Sequence, residues 1–304
     1  MITAHDVLPR EPRPGQLTAQ RRLYDRFDAI VVHSKHGRAR LVEELGIDDE
    51  RVHVIPHGAF EHLVVGGGDA LAPTSGLAGG GEVRTSGESG GLAEPPESRP
   101  AVGDVLPQKG DLRARAYARA DHPSESNNNP VVLMFGLMRP YKGIDVLLEA
   151  WRGADGQAPI EDAELWLVGM PKMDISTLQD SAPPNVRFER RFVADSELPA
   201  YFERADLVVL PYLQADQSGV LFTALAFGKP LLLSDVGGFP EIAATGAARI
   251  VAAGNTRALG QALRELLADR ATLTKMCVKA RAAATGRYSW PVIAAAHLQL
   301  YRSL

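Results

Sequence analysis

From residue 131 onward the sequence predicts an α/β fold, a doubly wound parallel sheet with helices on both faces. Two observations predict it. Short apolar runs recur at VVLMF (131–135), ELWLV (164–168), VRF (186–188), LVVLP (207–211), PLLLS (230–234) and RIVA (249–252). Helical stretches separate them at 143–152, 195–204, 219–227 and 255–268. Short strands alternating with helices mean a parallel sheet covered on both sides. Two further helices, about 271–284 and 290–303, close the chain, and no internal repeat is visible.

Residues 15–60 read as folded too. The apolar run FDAIVVH (27–33) predicts a strand, and SKHGRARLVEELG a helix with Ser34 as N-cap and Gly46 as its stop. VHVI (52–55) predicts a second strand, closed by Pro56-His57-Gly58. Between residues 61 and 130 Gly, Pro, Ser and Asn dominate and apolar periodicity disappears. Such a segment buries too little apolar surface to offset its chain entropy, so it is expected to be a disordered insertion, with at most a transient helix at 112–120.

Composition narrows the function. At 304 residues, 45% hydrophobic and 23% charged, the chain has room for one or two globular cores. A net charge of −4 and no dense Lys/Arg run with aromatics argue against nucleic acid as a partner. The lone Cys277 excludes an internal disulfide framework and fits a reducing compartment. Its neighbours Leu273, Met276 and Val278 suggest a buried, structural thiol. No apolar run is long enough to span a bilayer, and Met1 to Pro14 carries no apolar signal segment. The expected location is the cytoplasm, with peripheral contact to the inner face of the membrane as a variant.

In an open α/β sheet ligands bind beyond the carboxyl ends of the strands, so the loops there carry the chemistry. After the first strand of the large sheet comes Gly136-Leu137-Met138-Arg139-Pro140-Tyr141-Lys142-Gly143. Two cations on a glycine-bounded loop that opens a helix suit a diphosphate, and equally suit a solvated basic turn. After LVVLP, the Ser218-Gly219 step at a helix start presents backbone N–H groups to an anion, or is a plain cap. After PLLLS, the pair Gly237-Gly238 before Pro240 allows close approach of a ligand, or makes a tight turn. Three such loops on one sheet edge favour a ligand site. There is no G-x-G-x-x-G after the first strand, no Walker A sequence, no H-E-x-x-H and no Cys/His metal spacing.

Taken in order, HSKHGRARLVEELGIDDERVHVIPHGAF, FGLMRPYKGIDVLLEAW, LWLVG, FVADSELPAYFERADLVVLPY and GVLFTALAFGKPLLLSDVGGFPEI resemble glycosyltransferase family 4, the group 1 enzymes of the GT-B fold. The resemblance covers roughly 1–60 and 131–304. It implies two Rossmann-like domains: 1–60 as a C-terminal remnant of the acceptor-side domain, and 131–304 as the complete nucleotide-sugar-binding domain, with 61–130 inserted between them. It implies transfer from a nucleotide-diphosphate sugar to an acceptor that is a glycan, lipid or small molecule, with retention and without a metal or other cofactor. By position, Arg139 and Lys142 are the cations on the diphosphate, stabilising the leaving nucleotide. Gly136 lines the donor loop, and Ser218, Gly219 and Val220 form the backbone cradle. Met1 to Asp6 resembles a strand end carrying an active-site histidine near the transferred sugar, here His5. His57 and Gly58 match the interdomain loop, while His33, His36 and His53 are expected to be surface or packing residues.

Two departures bear on this. The family's pair of glutamates, eight residues apart before GKP, is replaced here by Ala215 and Thr223, so Thr223 stands at the donor ribose and Gln217, Ser218 or Asp216 is expected to take over polar contacts. The other departure is that HD lies at the very start, where the family has most of a domain before it. Ile30, Val31, Val32 and the apolar face of Leu41, Val42 and Leu45 are then expected to have few partners. An open sheet edge, an exposed apolar patch and weak transfer by this chain alone should follow. The alternative reading is a non-catalytic nucleotide-sugar-binding remnant.

Overall fold

The structure is a computed structural model that describes residues 1–8, 14–65, 129–153 and 156–304. The N-terminal part holds β1 (Ile2–Ala4), α1 (Gln16–Tyr24), β2 (Ile30–Val32), α2 (Lys35–Leu45), β3 (Val52–Val54) and the short α3 (His62–Val65). Its strands pair in parallel in the order β1-β2-β3. Of the stretch 61–130, expected to be disordered, Glu61–Val65 form a turn and the helix α3; residues 66–128 lie outside the described residues. α2 begins and ends as its sequence requires: the Ser34 hydroxyl accepts from Gly37 N–H at 3.0 Å, and a left-handed Gly46 closes it.

The C-terminal part runs β4 (Val131–Phe135), α4 (Ile144–Arg152), β5 (Glu164–Val168), α5 (Ser176–Asp180), β6 (Val186–Glu189), α6 (Leu198–Arg204), β7 (Leu207–Leu210), α7 (Gly219–Ala226), β8 (Leu231–Ser234), α8 (Phe239–Ala243), β9 (Ala248–Val251), α9 (Thr256–Ala268), α10 (Arg270–Thr285) and α11 (Trp290–Ser303). Six parallel strands are ordered β6-β5-β4-β7-β8-β9. The strand order reverses between β4 and β7, which is where a doubly wound sheet opens a crevice for ligand. Alternate residues go to opposite faces: Leu133, Val208 and Leu233 pack with Phe202, Leu225 and Ala280, while Val132, Val209 and Leu232 pack with Leu148, Trp151 and Leu263. Within α10, Leu273 and Met276 are buried, but Val278 is exposed and Cys277 only partly covered, so the expected apolar face ends before the thiol.

The smaller sheet is covered, contrary to the expected exposed patch. Ile30, Val31, Val32 and Leu41 are fully buried, and Leu45 nearly so. On one face Val7, Leu8, Tyr24 and Leu41 pack against Ile30 and Val32. On the other, Ile293 and Leu300 of α11 pack against Ala29, Val31 and Ile55. The last helix of the chain thus returns to roof the first sheet, a pairing across more than two hundred residues that N-terminal local patterning does not encode. Among the described residues no helix is long and apolar enough to cross a membrane.

Candidate active site

Two groups of side chains gather at the carboxyl ends of the two sheets. The first is built by the loops after β4 and β7. Gly136 leaves β4 at φ 101°, a conformation L side chains rarely adopt, and a Cβ there would sit 2.9 Å from Lys142 Nζ and 3.3 Å from Val220 Cγ2. Gly136, Lys142 and Val220 therefore converge as expected. Lys142 is only 6% exposed, on a 3-10 turn spanning Pro140–Lys142. Its ammonium lies 3.4 Å from the Phe135 carbonyl and 5.1 Å from the Tyr212 ring centroid. A buried cation held by a carbonyl and a ring face supplies positive charge where solvent screens it little. Arg139 caps the same turn and is exposed.

Ser218 is the N-cap of α7, yet its hydroxyl does not accept from the helix; it lies 3.3 Å from the Tyr212 hydroxyl. The first-turn N–H groups of α7 therefore have no side-chain cap, and Gly219 at their head is exposed. Thr223 is buried and donates to the Gly219 carbonyl at 3.1 Å. Gln217 and Ser218 share a cavity of ≈ 10 Å³ with His33 and Phe222, enough for about one water.

Asp216, one of the residues expected to take over from the missing glutamates, is bonded within the protein. Its carboxylate, 5% exposed, accepts from Arg40 Nη1 of α2 at 2.9 Å and from Val7 N–H at 3.2 Å. Gly237 and Gly238 are likewise committed to the protein. A Cβ on Gly237 would meet the Ala215 carbonyl at 1.9 Å, and one on Gly238 would meet Ser34 Cβ at 2.8 Å. The close approach these glycines permit is of one loop to another and to the cap of α2. Glu241 adds a bond, accepting from Lys35 N–H at 2.7 Å.

The second group consists of histidines. β1, β2 and β3 run parallel, so His5, His33 and His57, each just past a carboxyl end, fall together: ring centroids are 4.6 Å apart for His5–His33, 5.5 Å for His33–His57 and 6.0 Å for His5–His57. His33 is 8% exposed; its Nε2 lies 3.0 Å from His5 Nδ1 and its Nδ1 2.9 Å from the Ile55 carbonyl. Burial pushes its pKa down to about 4, and burial also lowers that of His57. His57 packs between Phe60, Phe222 and Trp290. The Phe222 contact joins this group to α7, and Ala59 N–H bonds the Tyr288 carbonyl at 2.7 Å. His33 is the functional candidate that sequence reasoning missed; its position just past a strand, like that of His5, was the available signal. His36 is exposed, beside Asp216.

A larger cavity of ≈ 600 Å³ lies between α2 and the loops after β7 and β8, lined by His36, Arg40, Gln214, Asp216 and Asp235 among others. Ala215 and Gly237 line it as well, whereas Gly136, Arg139, Lys142, Ser218, Gly219, Val220 and Thr223 do not.

Comparison with known proteins agrees with this layout. A profile described as Glycosyl transferases group 1 matches residues 129–269, and one described as Glycosyltransferase Family 4 matches 1–59. The phosphatidyl-myo-inositol mannosyltransferase of Mycobacterium leprae is 32% identical over 170 residues, 54% of this chain and 44% of that protein. The D-inositol 3-phosphate glycosyltransferase of Nocardia farcinica is 30% identical over 215 residues, 65% of this chain and 47% of that protein. The chain thus spans about half the length of these relatives or less. Among solved structures, Anabaena HepE in complex with UDP superposes with a TM-score of 0.69 at 19% identity, covering 100% of this chain and 72% of that one. The sucrose-phosphate synthase of Thermosynechococcus elongatus gives 0.66 at 21%, covering 96% and 62%. The shared architecture is GT-B, with a full C-terminal Rossmann-like domain and a sparser N-terminal one.

Proposed function

The chain belongs to the family 4, group 1 glycosyltransferases, and from that premise we propose that it binds a nucleotide-diphosphate sugar at the carboxyl edge of the larger sheet and passes the sugar to an acceptor held near His5. The observation that carries the reading is the convergence of buried Lys142, Gly136 and the uncapped start of α7 at the point where the strand order reverses. The cation and the first-turn N–H groups offer fixed positive charge to a diphosphate, and the same charge stabilises it as it leaves with the nucleotide. Arg139, exposed on the same turn, adds a second cation; Gln217 and Thr223 stand beside the cradle. Transfer is metal-independent in this reading, because the cations fill the role a metal would otherwise have; retention is what the family resemblance implies. Relatives named for GDP-mannose, phosphatidyl-myo-inositol and inositol phosphate support a nucleotide sugar as donor and a polyol or glycolipid as acceptor.

Calorimetry with UDP-, GDP- and ADP-sugars, with and without EDTA, tests it. One donor class should bind, EDTA should change nothing, and Arg139→Ala should weaken binding at least about tenfold, as expected for a charge-assisted hydrogen bond of about 1.5–3 kcal/mol. Loss of affinity in EDTA, or an unaffected Arg139→Ala variant, overturns the metal-free cation reading. Binding without transfer to any polyol or glycolipid acceptor would favour the alternative, a nucleotide-sugar-binding protein without turnover, which Ala215 and Thr223 in place of two glutamates also favour.

A further inference from the structure

The hydrogen bonds of the His5–His33 pair have a forced direction. The Ile55 carbonyl can only accept, so the 2.9 Å contact places a proton on His33 Nδ1. A neutral imidazole carries one N–H, which leaves His33 Nε2 as a bare acceptor, and burial of the ring favours the neutral form. The proton in the 3.0 Å contact between His33 Nε2 and His5 Nδ1 therefore belongs to His5. Neutral His5 then has its lone pair on Nε2, the nitrogen this pair does not engage, on a residue that is exposed.

From this geometry we infer that His33 is a positioning residue that holds His5 in its Nδ1–H tautomer, so that His5 meets a bound sugar as a hydrogen-bond acceptor. A bare ring nitrogen accepts from a sugar hydroxyl and has nothing to donate to a phosphate oxygen. The family resemblance already places His5 near the transferred sugar; what the His33 contact adds is that His5 accepts there from a hydroxyl, leaving the diphosphate to Lys142, Arg139 and the start of α7. The ligand part of this assignment rests on the proposed function; the tautomer does not.

Nitrogen-15 NMR of the histidine side chains in the free full chain, at mildly alkaline pH, reads the tautomer directly. His5 should show a protonated Nδ1 and a bare Nε2. His33→Gln, whose carboxamide oxygen can accept in place of Nε2, should keep that pattern. His33→Phe, with no acceptor, should release His5 to the Nε2–H form. A wild-type His5 protonated on Nε2, or no change in His33→Phe, overturns the inference; should His33→Phe not fold, the wild-type and His33→Gln spectra decide. Calorimetry with UDP and UDP-glucose, and with GDP and GDP-mannose, tests the ligand. His5→Ala and His33→Phe should each weaken the nucleotide sugar about fivefold, one hydrogen bond of about 1 kcal/mol, and leave the bare nucleotide unchanged. Equal weakening of both would place His5 on the phosphate and overturn its assignment to the sugar. If neither these four nor ADP and ADP-glucose bind to wild type, the transferase reading fails, while the spectra still decide the role of His33.

Discussion

The carboxyl edges of the two sheets face chemistry of opposite character. The larger sheet ends in glycines that let backbone come close, a buried lysine and an uncapped helix start, the last two fixed positive charge. The smaller ends in three imidazoles, of which His33 and His57 are held toward neutrality by burial. One edge is a static electrostatic cradle; the other is a set of hydrogen-bonding groups whose proton positions depend on one another. The difference follows from topology. A six-stranded sheet with a reversed strand order opens a crevice for loops, whereas three short adjacent strands bring together side chains that follow them by one to three residues.

The link between the two edges is where the comparison breaks most easily. Asp216 sits in the larger unit, and its carboxylate holds Arg40 and Val7 of the smaller. Asp216→Ala leaves the Val7 N–H without its acceptor and Arg40 with Glu44 alone, and should cost about 3 kcal/mol, the lower end of the loss on breaking a buried pair. Denaturant unfolding would show it as a lower midpoint. A midpoint shift worth less than about 1 kcal/mol, the range of an exposed pair, would show that this bond does not hold the units together.

Acid should come next, and should act on the histidine edge. The ordinary imidazole value is 6.5 and that of folded His33 about 4. Above 6.5 neither folded nor unfolded chain protonates it, and no stability is lost. As pH falls from 6.5 to 4 the unfolded chain takes up a proton that the folded chain refuses, so stability falls by about 3 kcal/mol across that window and no further below it. His57 acts in the same direction. Unfolding of wild type and His33→Gln between pH 7 and 4 measures this; parallel pH curves would mean that His33 carries no such penalty.

The smallest effect on stability belongs to the cationic edge. Lys142→Met removes a buried charge while keeping much of the packed chain, so the melting temperature should hold or rise. Nucleotide affinity should nonetheless fall at least about tenfold, for the loss of about 1.5–3 kcal/mol. Calorimetry beside thermal unfolding checks both halves; undiminished affinity would remove Lys142 from the donor site.

Legibility differed between the edges in the same way. Strand and helix alternation from Val131 onward, the Ser34 cap and the Gly46 stop are local patterns, and the structure reproduces them within a residue or two. The short helices α3 and α5 and the nine-residue α1 escaped notice, the first two because four or five residues carry too little periodicity. The nearness of Gly136, Lys142 and Val220 was legible because each stands on or just past a loop at the carboxyl edge of adjacent strands β4 and β7. For Gly237, Gly238 and Asp216 the sequence left ligand and structural readings open, and their protein partners, Ala215, Ser34, Arg40 and Val7, were not legible because they lie on other loops and helices.

By itself, then, the sequence determined the doubly wound sheet, the cationic loop and the family, all of which follow from short local patterns taken in order along the chain. Only the tertiary structure decided that α11 roofs the first sheet, that Asp216 ties the two parts, and that His33 sits against His5. Those three depend on residues 28 to 271 positions apart meeting in space, and hydrophobic periodicity says which face of an element is buried but not which distant element will bury it.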